Sequence, residues 1–221
     1  MPRLLSILSV WLAVFLPAWS TCQHTDKLTP SDLLAYFRPV ATPDTLIFEV
    51  LQQEALEAIA GDTIPNALFF TVLDASLLSG IAHVADSAGA LCLARQRFSL
   101  NTEVDACLVD IRYFWFQHQS LLLYDRRQEV FTDRVTVAEW YGGDGGQELT
   151  GSWLLDYNGD GQPDIIRRLI EHSLRMDEMG NAHETQQESA VLLLWQNGRF
   201  AEHPLPDASF LVKQFPIRSF W

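Results

Sequence analysis

The sequence predicts a mainly β chain, an antiparallel meander of propeller-like or sandwich form with a helical N-terminal part. Two observations carry that expectation. From Leu91 onward the chain runs in short β-branched or aromatic segments divided by polar turns. Before that point, Ser, Thr, Asp and Pro residues stand ahead of apolar runs in the manner of helix starts.

The chain begins with a secretory pattern. Arg3 precedes the apolar run Leu4 to Leu16, and Pro17-Ala18-Trp19-Ser20 supplies a small-x-small end. Residues 1–20 are expected to be a signal peptide, because the run is shorter than the roughly 20 residues of a membrane span. The expected location is therefore the periplasm or the extracellular space, with no span in the mature chain and with Cys22 as a candidate lipid anchor.

Residues 21–43 read as a polar lead, in which Thr29-Pro30-Ser31-Asp32 precedes Leu33 to Phe37 as a helix start. One β-rich domain, 44–221, is expected to follow, helical over 44–88 and stranded over 89–221. Leu46 to Val50 suits a strand or the opening of a helical run over Leu51 to Ala60 that Gly61 would end. Thr63 and Pro65 suit a helix start over Asn66 to Leu73, and Asp74 a cap for another over Ala75 to Ala82. His83 has no partner residue in sequence and reads as structural.

The strand segments are Leu91 to Phe98, Cys107 to Phe116, Leu121 to Asp125 and Val135 to Tyr141. Their aromatic residues read as core. Asn197-Gly198, between Leu192-Leu193-Leu194-Trp195 and Arg199-Phe200, is a hairpin signal because both turn residues tolerate positive φ. Cys92 and Cys107 fall on adjacent predicted strands and are expected to pair in an oxidising compartment, which would leave Cys22 alone.

The most specific motif is Asp156-Tyr157-Asn158-Gly159-Asp160-Gly161-Gln162-Pro163-Asp164. Asp156, Asn158, Asp160 and Asp164 place side-chain oxygens at the first, third, fifth and ninth positions, and Gln162 offers its backbone carbonyl. Calcium takes six to eight oxygens, and alternate residues of a tight loop converge on one centre. Gly161 supplies the sharp turn. These five residues are the expected Ca²⁺ ligands. Arg167 stands at the twelfth position, where an EF-hand needs a bidentate Glu.

Flanked by Ser152-Trp153-Leu154-Leu155 and Ile165-Ile166, and followed by Trp195 to Phe200, the loop resembles that of FG-GAP/VCBS repeats, the blade units of integrin-type β-propellers. The resemblance covers roughly residues 142–200 and a single copy. It implies a structural calcium ion that fixes the turn between two strands.

With 28 acidic against 15 basic residues the chain carries a formal charge of −13, or −14 once the leader with its single Arg3 is removed. That surface repels nucleic acid and anionic membranes and favours cations or a basic partner. No Gly-x-Ser-x-Gly elbow, His-Glu-x-x-His or phosphate loop is present, and Gly142 to Gln147 precedes a strand rather than a helix. His172, His183 and His203 lack zinc-ligand spacing. Asp177, Glu178, Glu184 and Glu188 read as a polar loop.

The expected function is that of an exported, non-enzymatic calcium-binding structural or protein-interaction module. Two alternatives stay open. Architecture and acidity also resemble periplasmic lysozyme-inhibitor or immunity proteins, whose cationic target would be steered by the field. An exported hydrolase could instead hide a carboxylate pair among the acids.

Overall fold

A computed structural model describes residues 27–50, 61–81, 84, 89–143 and 145–218. The expected signal peptide, Cys22, the run Leu51 to Ala60 and His83 lie outside the described residues.

The elements are α1 (Pro30–Leu34), β1 (Arg38–Pro39), β2 (Thr45–Phe48), β3 (Asp62–Ile64), α2 (Asn66–Val72), β4 (Leu91–Ser99), β5 (Val104–Tyr113), β6 (Phe116–Asp125), β7 (Val130–Gly143), β8 (Gly146–Leu155), β9 (Asp164–Met176), β10 (Ala182–Gln196), β11 (Arg199–His203) and α3 (Ser209–Gln214). All eleven strands belong to one open sheet in which β4 to β11 are neighbours in chain order. The antiparallel meander is therefore as expected, but these strands form neither a ring of separate blades nor two separate sheets. On the outer side of β4 lie β3 and the parallel β1, and β2 pairs with β8.

The sheet opens between β7 and β8. Only Glu139–Gly143 of β7 pair with β8, against Gly146–Thr150, while Val130–Trp140 pair with β6. The edge of β8 left free, Ser152–Leu155, is taken by β2. Alternation along the strands then fills both faces. Cys107, Val109, Ile111, Leu122 and Tyr124 join α1, α2 and Leu73, Leu77, Ile81 and Val84 in one cluster. Leu108, Leu121, Leu123, Val135 and Val137 meet Leu149, Leu154, Ile165 and Leu193 in a second, with Phe48 and Val50. Each such side chain, when fully buried, stabilises the fold by about 1.5–3 kcal/mol. A third cluster docks α3 on Ile166, Ala190 and Leu192.

The expectation of a helical 44–88 segment is not supported. Among the described residues it holds one α-helix, α2, close to its expected place, beside β2 and β3. Residues 75–81 form turns rather than a helix. Asp74 Oδ1 accepts from the Ser76 and Leu77 amides, an Asx turn rather than a sustained cap, and Gly80 at φ 82° ends the segment.

The acids expected in a polar loop instead occupy the β9–β10 hairpin. Asp177 and Glu178 lie at its turn, and Glu184 and Glu188 on β10. Residues 182–189 are exposed on both faces, so no apolar alternation marks them, and the ladder to β9 holds them extended.

Candidate functional site

The loop 156–163 is the turn of the β8–β9 hairpin, so register brings the five expected ligands into one short segment. Asp156 closes it: its Oδ1 accepts from the Gly159 and Asp160 amides at 2.8 and 3.1 Å, and its Oδ2 from Gly161 at 2.9 Å. Asn158 Oδ1 accepts from the Asp160 amide, and Asp160 Oδ1 from the Gln162 amide. Asn158 Nδ2 donates to Asp160 Oδ2 at 2.9 Å. Gly159 and Gly161 stand at φ 78° and 79°, the left-handed conformation that a side chain would oppose.

Asp164 is set apart by its burial. It opens β9 at 0 % exposure, whereas Asp156, Asn158 and Asp160 are exposed and Gln162 is half-buried. Its Oδ2 accepts from the Tyr157 amide at 3.3 Å and its Oδ1 from the Trp195 amide at 3.1 Å, tying the turn to β10. Burial raises its carboxyl above the usual range, those amides pull the other way, and the Asp160 charge adds to the rise. Among the described residues no Lys, Arg or His forms an ion pair with Asp156, Asp160 or Asp164. Three carboxylates within nine residues are thus compensated by amides alone. The donors are hard oxygens, the chemistry that suits calcium or magnesium. Among the described residues no three His, Cys, Asp or Glu side chains converge as a metal-holding group; the arrangement is an amide-closed turn.

A buried polar string absent from the sequence reading lies on β6 and β7. His118, 1 % exposed, meets Glu139 Oε2 through Nδ1 and Ser120 Oγ through Nε2, both at 2.5 Å. Arg134 Nη1 lies 2.9 Å from His118 Nε2 and donates to Ser120 Oγ at 2.9 Å; its Nε donates to the Leu77 carbonyl at 2.5 Å and its Nη2 to that of Ser79. Ser120 and His118 are enclosed, so the string ties the 74–81 turns to the sheet. The Ser–His–acid order alone does not make a nucleophile, which must also meet its substrate. The one sequence signal was His118-x-Ser120 in a strand, two residues on one face; their partners Glu139 and Arg134 come from β7, beyond the reach of local pattern.

Cys92 and Cys107 are both free and buried. The expected disulfide fails on register: Cys92 lies opposite Ile111 and Cys107 opposite Arg97. Burial pushes the Cys92 thiol up to about 12 and raises that of Cys107 as well, which disfavours the nucleophilic thiolate at both. His172 and His183 pair with Glu184 and Asp177 along the β9–β10 hairpin, at 2.6 and 3.2 Å.

Compared with protein-family models, curated proteins and solved structures, the chain finds no match in any of the three.

Proposed function

We propose that the protein is an exported calcium-binding module in which Ca²⁺ rigidifies the 156–164 turn and so holds a surface for a protein partner. The observation that supports this reading is the set of three carboxylates on one hairpin turn, without a basic partner among the described residues, of which Asp164 is wholly buried. Asp156, Asn158, Asp160 and Asp164 would supply side-chain oxygens and Gln162 its carbonyl. Bound calcium supplies positive charge where the turn concentrates negative charge, and binding to the folded state alone becomes folding free energy. At a free concentration one hundred times the dissociation constant, the gain is about 2.7 kcal/mol.

On this reading the motif stands to the sheet as the loop of an FG-GAP/VCBS unit does to its blade, in single copy. The acidic surface favours a basic exported protein as partner; the lysozyme-inhibitor alternative is the case in which that partner is a cationic muramidase.

The deciding experiment is thermal unfolding in EGTA and in millimolar Ca²⁺, for the parent and for Asp156→Ala/Asp160→Ala. The expected outcome is a melting temperature several degrees higher with calcium in the parent and no difference in the variant. Equal melting temperatures in the parent would sink the proposal.

A further inference from the structure

At the far end of the β8–β9 ladder from the acidic turn lies a cleft of about 290 Å³, walled by Trp115, Trp140, Gln147, His172 and Leu174 and floored by glycines 142, 143 and 146. We propose that this cleft binds a neutral oligosaccharide, with Trp115 as the stacking platform. The inference does not depend on the calcium reading.

The β5–β6 turn carries the first part of the argument. Tyr113 pairs with Phe116, so Phe114-Trp115 is a two-residue hairpin turn, a place where Asn-Gly or Gly-x satisfies the backbone. Phe114 instead stands at φ 51°, and the two aromatic side chains are 84 % and 74 % exposed. Neither backbone ease nor burial accounts for Phe-Trp there. Strain joined to exposed aromatic surface is a mark of a functional site.

The floor carries the second. Gly142 has a structural reason: at φ 153°, an added Cβ would come within 2.5 Å of the Gly146 carbonyl oxygen. Gly143, the last residue of β7, opens onto the cleft: a Cβ there would meet nothing within 4 Å, so the backbone leaves room for a ligand to come close.

The polar groups decide the ligand class. Trp140 Nε1 donates to Gln147 Oε1 at 3.0 Å, which leaves the amide hydrogens of Gln147 as donors. His172 Nε2 pairs with Glu184 Oε1 at 2.6 Å, and Glu184 remains exposed. Flat indole with the Gln147 amide beside it matches a sugar ring, whose C–H face stacks while its hydroxyls accept and donate. Among the described residues no Lys or Arg lines the cleft, and the chain is acidic, so phosphate, sulfate and carboxylate ligands are repelled. An apolar peptide would strip water from Gln147 without replacing its bonds. A quaternary amine needs an aromatic cage, and the Trp115 side chain is mostly open to solvent.

The test is calorimetric titration of the full chain, in EGTA, with cellohexaose and chitohexaose, and with choline and a heparin hexasaccharide as competing classes. Saturable binding of at least one neutral sugar, with Kd between about 10 μM and about 1 mM, is expected. Trp115→Ala should weaken it about tenfold or more and Gln147→Ala severalfold, while Phe210→Ala, on α3, should leave it unchanged. Parent-like melting of Trp115→Ala establishes that it folds; if it does not fold, Trp115→Phe, with a smaller platform, should bind between parent and loss. Absence of saturable heat with both neutral sugars overturns the proposal. So does equal affinity in Trp115→Ala, or binding of choline or heparin in place of the neutral sugars.

Discussion

His118 is held neutral by its surroundings, and the direction of its titration follows. Burial lowers its pKa below the ordinary 6.5, the Glu139 carboxylate opposes that fall, the Arg134 guanidinium reinforces it, and Asp110 acts at longer range against it. Between the folded pKa and 6.5 the unfolded chain binds a proton that the native state refuses. Stability from this group is therefore complete above pH 6.5 and is lost as pH falls through and below that value. The urea midpoint of the parent, compared with that of His118→Gln, should lose its advantage on going from about pH 7.5 to about pH 5; a constant difference would refute it. This residue was beyond sequence reading because its partners lie sixteen and twenty-one positions away. The turn at 156–163 was legible because its Asp, Asn and Gly residues act within nine positions, although nothing in that pattern marks Asp164 as the buried one of its carboxylates.

Hairpins carry the same lesson at the scale of elements. Asn197-Gly198 is the turn its residues predict, with φ 52° and 80° at the two positions, because turn chemistry is local. The pattern of Tyr113 to Phe116 predicts strand interior, since nothing in Tyr-Phe-Trp-Phe announces a reversal; the bend is imposed by pairing β5 with β6 over ten residue pairs. The Cys92–Cys107 pairing failed for a related reason, because adjacency of strands does not fix which residues face each other. Replacing Phe114 by Asn should relieve the positive-φ strain at little cost in burial. An increase in stability of up to about 1 kcal/mol by urea unfolding is expected. A loss of that size would mean that the Phe114 ring, 4.5 Å from that of Tyr113, contributes more than its exposure suggests.

For the whole molecule, charge is the dominant uncompensated term. A formal −13 over a chain of 221 residues opposes compaction by self-repulsion, which monovalent salt screens. In EGTA, raising NaCl from about 20 mM to about 200 mM should raise the melting temperature. A fall would show that the ion pairs, Arg168–Glu188 and Arg112–Asp110 among them, outweigh the repulsion.

Arg168 also anchors α3, its guanidinium donating to the Val212 and Phe215 carbonyls at 2.5 and 2.6 Å. That anchor depends on parity. Side chains alternate along β9, and the count of residues in the 156–163 turn decides which of them face α3. One residue more or fewer would carry Arg168 to the opposite face and exchange Ile165 and Ile166 between their two clusters. The acidic turn is thus a length gauge for the last quarter of the chain, and it tolerates a changed side chain better than a changed count.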